Sequence, residues 1–111
     1  MNIEVDSRED VDIVTVSGRI DSSTSPELDS TLSEHAEARK HIILELSGVD
    51  YMSSAGIRAI VSALRTCNKH RRKLVLAHPS SRVSEVLQLA GLRSVFEIYD
   101  STGAALGILQ D

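Results

Sequence analysis

HIILELSGVDYMSSAGIRAI, residues 41–60, changes its hydrophobic period halfway along. Ile42 to Leu46 is a nearly unbroken apolar run of strand length, with Glu45 inside it, bounded by turn-forming residues, the pattern of a strand covered on both faces. From Ile57 onward, Ile57, Ile60, Val61 and Leu64 recur at intervals of three and four and line one side of a helix. A short polar turn separates the two, and Ser53 and Ser54 stand where the chain enters the helix. A serine hydroxyl at such a junction accepts a hydrogen bond from an amide of the first helical turn, which has no partner inside the helix. Capping alone thus accounts for a serine at this place, and any further role has to come from the rest of the chain.

On the N-terminal side, Ile3–Asp6 and Val11–Val16 read as two short strands joined by the charged turn Ser7 to Asp10, a hairpin. β-Branched residues dominate the second strand, and Ser17-Gly18 is expected to end it. After the polar loop Asp21 to Thr24, Ser25 as a capping residue, Pro26 at the first helical position and Glu27 near the positive end of the dipole open a helix to about Ala38. Its inward face carries Leu28, Leu32 and Ala36. On the C-terminal side, Leu74–Ala77 is another buried strand. Ser80 or Ser81 caps a helix with Val83, Val86, Leu87 and Ala90 on one side, and Gly91 closes it. Val95–Tyr99 reads as the last strand and Asp100 as the cap of a short helix through Leu106 and Leu109, in which Gly103 and Gly107 each disfavour helix by about 1 kcal/mol.

This order implies an α/β fold: one domain over residues 1–111, with a mixed, mostly parallel sheet of four to five strands, an antiparallel N-terminal hairpin strand and about four helices. The carboxyl ends of the parallel strands then lie together, where ligands of open α/β sheets gather. Asp21 and Ser54, each just after a strand, belong to that end.

Composition narrows the function. A chain of 111 residues, 41% hydrophobic and 25% charged, suits one soluble domain able to bury roughly two thirds of its unfolded surface. Tyr51, Phe96 and Tyr99 are the only aromatic residues, which leaves no series of stacking platforms for single-stranded nucleic acid. No apolar run approaches the roughly 20 residues of a transmembrane helix, and the acidic start of the chain is unlike a secretory signal, so a cytoplasmic location is expected. Cys67 stands alone, which agrees with a reducing compartment and a packing role. The net charge of −4 argues against nucleic acid and direct membrane binding. Lys69-His70-Arg71-Arg72-Lys73 is the local exception. It suits a solvated helix end favoured by the dipole, or a contact surface for an acidic partner.

Several kinds of chemistry lack their residues. There is neither a G-x-x-x-x-G-K-[ST] nor a G-x-G-x-x-G loop for nucleotide phosphates. Ser54 has no glycine two places before it, as a hydrolase nucleophile would. His35, His41, His70 and His78 are scattered without metal-ligand spacing, so neither metal nor cofactor is expected. Asp50 as a phospho-acceptor would need an acidic pair to hold Mg²⁺, and Ser17-Gly18 stands in its place. No catalytic constellation remains, and the chain is not expected to be an enzyme. An exposed hydroxyl at a strand-to-helix turn can nevertheless serve as substrate for another protein's kinase.

Gly18-Arg19-Ile20-Asp21 with Thr24 and Leu28, the strand Ile42 to Leu46, Val49-Asp50-Tyr51-Met52-Ser53-Ser54-Ala55-Gly56-Ile57, and Gly91-Leu92 together resemble the STAS domain. More narrowly, the chain resembles stand-alone bacterial anti-sigma-factor antagonists over essentially its whole length. The resemblance implies a regulator that binds an anti-sigma factor that is also a serine kinase. Phosphorylation of Ser54 ends the binding, and a serine phosphatase would restore it. It also implies a partner-binding surface of Asp21, Ser22, Ser23, Thr24, Ser53, Gly56 and Ile57. The chain departs from the common pattern at Ser53, where many antagonists have aspartate, and at Ala55, where many have Ser or Thr, which leaves Ser53 as the alternative acceptor. A second expectation within the same family is an adaptor subunit of a lipid-transport ABC or signalling complex without phosphorylation.

Overall fold

Two long parallel strands form the centre of the molecule: β2, Val11–Ile20, and β3, His41–Met52. The computed structural model describes residues 1–109; the last two residues of the expected domain, 110 and 111, lie outside the described residues. β1 (Asn2–Ser7) pairs antiparallel with β2, while β4 (Leu74–Ala77) and β5 (Ile98–Tyr99) extend the parallel side in the order β1-β2-β3-β4-β5. Between and after them run α1 (Ser25–Glu37), α2 (Ser54–Lys69), α3 (Ser81–Leu89) and α4 (Thr102–Leu109). The expected α/β architecture is present: a mixed five-stranded sheet with an antiparallel hairpin strand and four helices.

A strand order that never reverses has a consequence for the helices. Parallel crossovers are right-handed, so successive ones in the same direction fall on the same face. α1, α2 and α3 accordingly share one side, where Leu28, Leu32 and Ala36, then Ala59, Ile60, Ala63 and Cys67, then Val83 and Leu87 pack on Ile42, Leu44 and Leu46. The alternate residue Ile43 faces the other side with Val11, Ile13, Val75 and Ala77, covered by Ala105 of α4 and the half-buried Leu106 and Leu109. Burial on both faces explains why Ile42 to Leu46 reads as an apolar run interrupted only by the half-buried Glu45. It also holds α4 as a helix despite its two glycines.

The sequence reading is corrected at several element ends. β3 does not stop at Leu46 but runs on to Met52, and β2 passes Ser17-Gly18 to reach Ile20. The extensions pair with each other, Ser17 with Gly48, Gly18 with Val49, Arg19 with Tyr51 and Ile20 with Met52, through two register shifts. Gly18, at φ 88, supplies the left-handed backbone of such a bulge. Cross-strand pairing thus overrides the weak strand preference of Ser, Gly and Asp. The last strand shrinks to Ile98–Tyr99. Ser25 is the first residue of α1 and buried, with Thr24 in the capping position, and Ser101 rather than Asp100 accepts from the amide of Ala104, at 3.0 Å.

Where α2 leaves the sheet it presses on the strand ends. A Cβ on Gly56 would stand 2.6 Å from Cγ2 of Ile20 and 3.3 Å from Cγ of Met52, both buried. At the opposite end of β2, Asp12 is 1% exposed. Its carboxylate takes Lys40 Nζ at 2.6 Å on one oxygen and His35 Nδ1 on the other, tying α1 and the turn before β3 to the sheet. Burial pushes this carboxyl upward, but hydrogen bonds from Lys40, His35 and Ser7 with the His35 charge outweigh it, and the pKa lies below its ordinary value.

Two measurements follow from this packing. Gly56→Ala gains up to about 1 kcal/mol of helix propensity but overpacks Ile20, so the expected net loss is about 1–2 kcal/mol, seen as a lower urea midpoint. In the unfolded chain Asp12 titrates near 3.9 and in the native one lower, so the native state holds fewer protons between those values. Its contribution to stability is present above about pH 4 and lost as pH falls through the native value. Asp12→Asn is expected to melt lower at neutral pH and to show a flatter decline of Tm in acid.

Candidate functional site

The carboxyl ends of β2 and β3 meet because their pairing continues to the last residue of each. The Ser53 amide donates to the Ile20 carbonyl at 2.9 Å, so the chain leaves both strands side by side. After Ile20, Asp21 organises a tight loop. Its Oδ1 accepts from the Ser23 hydroxyl at 2.8 Å, the Ser23 amide at 3.0 Å and the Thr24 amide at 3.1 Å. Its Oδ2 accepts from Arg19 Nε at 3.0 Å. Thr24 closes the turn from the other side: its hydroxyl accepts from the Asp21 amide at 2.8 Å and donates to the Arg19 carbonyl at 2.9 Å. The Ser23 hydroxyl above all, with the Thr24 and Ser23 amides and the Arg19 guanidinium, holds the Asp21 carboxyl well below the carboxylate range. It is a fixed negative charge at any physiological pH. Arg19 also lies over the ring of Tyr51, 3.8 Å from its centroid.

The two serines divide their work. Ser53 adopts the extended conformation of a capping residue and is half-buried; its hydroxyl accepts from the Gly56 amide at a long 3.4 Å, and its carbonyl accepts from the Ile57 amide at 3.1 Å. Ser54 is the first residue of α2 and is exposed. Ser22 and Ser23 are exposed and Thr24 half-buried, all on the loop beside this turn. Gly56 lies beneath the surface against Ile20 and Met52, and Ile57 is half-buried against the main core. Asp21, Ser22, Ser23, Thr24, Ser53 and Ser54 therefore belong to one end of the sheet, while Gly56 and Ile57 support it from below.

Sequence reasoning missed two features. The stacking of Arg19 on Tyr51 depends on the register left by the β-bulges, and no local pattern announces it. A groove of about 420 Å³ between the first turns of α1 and α2 is lined by Ser25, Pro26 and Asp29 on one side and Ala55, Arg58, Ala59 and Ser62 on the other. Helical spacing alone puts Arg58 one turn beyond Ser54 on the same face, and that signal was available. Among the described residues, no group of three or more His, Cys, Asp or Glu side chains is arranged to hold a metal ion, and no helix is long and apolar enough to cross a membrane.

Comparison with known proteins agrees with this architecture. The family model of the STAS domain matches residues 2–105. The anti-sigma-B factor antagonist of Staphylococcus aureus is 27% identical over 92% of this chain and 95% of its own. Among solved structures, an anti-sigma factor antagonist from Mycobacterium paratuberculosis superposes with a TM-score of 0.89 at 22% identity, covering 99% of this chain and 94% of that one. The unphosphorylated form of the antagonist SpoIIAA superposes with a TM-score of 0.85 at 16% identity, covering 98% of this chain and 96% of its own. SpoIIAA of Bacillus is also known in a phosphorylated form, with a TM-score of 0.76 at 16% identity over 96% of this chain and 97% of its own. With the family model spanning nearly all of its length, the chain belongs to the STAS domain family.

Proposed function

We propose that this protein is an anti-sigma factor antagonist that works by partner switching in the cytoplasm. Unphosphorylated, it binds an anti-sigma factor that is also a serine kinase and so frees the sigma factor. Phosphorylation of Ser54 releases it, and a serine phosphatase resets it. It acts as a binding module and as another enzyme's substrate, with no catalysis of its own. The observation that carries this reading is the contrast at the start of α2: the Ser53 hydroxyl is engaged in capping, while Ser54 is exposed beside the prearranged Asp21 loop. Support also comes from relatives named as antagonists and from SpoIIAA, which is described in both phosphorylation states.

The energetics favour release over unfolding. A phosphate adds nearly two negative charges. At a helix N-terminus, and with no carboxylate in the first turn of α2, that charge is stabilising by about 0.3–2 kcal/mol. Against a closely packed partner surface the same charge costs several kcal/mol, and about 4 kcal/mol is a thousandfold in affinity. The interface therefore responds while the fold does not. Asp21 Oδ2, held within the chain by Arg19 alone among the described residues, keeps lone-pair capacity for a donor from the partner.

Incubation with the cognate kinase and ATP, followed by mass spectrometry, should place one phosphate on Ser54 and none on Ser53. Ser54→Ala should bind the kinase constitutively. Ser54→Asp should bind at least about a hundredfold more weakly and melt within a few degrees of wild type. Equal affinity of the two variants would refute the gate.

A further inference from the structure

The charges of this chain are segregated. Arg58, Arg65, Lys69, Arg71, Arg72 and Lys73 are half of its 12 Lys and Arg residues, and none of its 16 Asp and Glu residues lies between Ser54 and Lys73. α2 therefore carries no acid at all, in a chain of net charge −4. Arg58, Arg65 and Lys69 follow Ser54 at spacings of four, seven and four, which puts them on one face of the helix, and all are exposed. The stripe continues past the helix end to Arg72, whose Nε donates to the carbonyl of Arg39 at 2.9 Å. Among the described residues, none of Arg58, Arg65, Lys69 and Arg72 forms an ion pair; the nearby Lys40 and Lys73 do, with Asp12 and Glu97.

A favourable helix dipole explains cations at the C-terminal turn and no further. It gives no reason for Arg58, one turn from the opposite end, or for Arg65 in the middle. Two further arginines occupy backbone that favours glycine: Arg39 at φ 62 and Arg71 at φ 59, both exposed and both just after helices. A side chain is strained in that conformation, and Arg71 brings a cation to the turn that ends α2.

We propose that the exposed face of α2 from Arg58 to Lys69, continued past the helix end by the half-buried Arg72, is a docking surface for an acidic face of the protein partner. The inference rests on the binding-module reading above and supplies the chemistry of the partner. Charge complementarity selects that occupant. A long polyanion would run beyond the stripe onto a remainder with six cations against 16 carboxylates. No aromatic ring lies on this face for a base to stack on, and the large exposed apolar side chains, Val5, Tyr51, Leu89, Val95 and Ile108, all lie outside α2, so none is offered there for insertion into a bilayer. A folded or extended acidic protein segment can match the stripe alone. Arg58, one turn from Ser54, places the head of this surface within reach of the switch.

The test titrates the full isotope-labelled chain with a poly-glutamate peptide, and in parallel with single-stranded DNA of equal charge and with phosphatidylserine vesicles. The expected result is amide shifts confined to the exposed face of α2 and the turn through Lys73. The double variant Arg65→Glu, Lys69→Glu should lose about tenfold in peptide affinity with an unchanged Tm. Shifts elsewhere, or an affinity indifferent to the charge reversal, overturn the proposal; so does tighter binding of DNA or vesicles through the same residues. Ser54 phosphorylation is scored separately by mass spectrometry. A chain that is phosphorylated yet indifferent to the peptide keeps the proposed function and loses this surface, and a chain that binds the peptide along α2 without being phosphorylated does the reverse.

Discussion

The pairing of β2 with β3 through to their last residues is the constraint on which the rest depends. Parallel strands that separated at Leu46 would leave the Asp21 loop and the start of α2 free to move apart. Instead the pairs Arg19 with Tyr51 and Ile20 with Met52, and the bond from the Ser53 amide to the Ile20 carbonyl, fix the two exits side by side. The cost is local irregularity, absorbed by two register shifts and by Gly18 in left-handed backbone. α2 is then seated on the same strand ends by the bare backbone of Gly56. Loop, helix start and exposed serine are one rigid unit because each is anchored to the same two strands.

Much of this was legible in the sequence. The shift from a nearly unbroken apolar run to helical spacing located β3 and α2, and alternating strands and helices implied the parallel sheet. The serine pair and Asp21 could be assigned to one end because both follow strands. What escaped was decided by partners remote in the chain. Ser17, Gly18, Ser47 and Gly48 look like turn formers, and only the opposite strand makes them strand. Ser25 looks like a cap, yet Asp21 and Thr24 take over the turn by bonding each other, and Ser25 is drawn into the buried first turn of α1. The Asp12 cluster joins residues 23 and 28 positions apart, which no local window contains.

Charge in this molecule follows position. Asp12 is sealed at one end of β2 and bonded by Lys40 and His35, so its role is to hold elements together. Asp21, at the other end of the same strand, is held by a ring of donors yet remains partly accessible, so its charge is available outward. A carboxylate that is spent internally and one that is only oriented internally are separated by eight residues of one strand and its exit.

The sequential strand order leaves the sheet open at both sides, with unpaired backbone groups that another chain could join. Each side is blunted differently. β5 is only two residues long, too short to template an added strand. β1 is six residues long, but Glu4 and Asp6 are exposed along it, so a second copy approaching in register would meet like charges. The two borders of the sheet are thereby guarded against lateral self-association, by shortness on one side and by repulsion on the other.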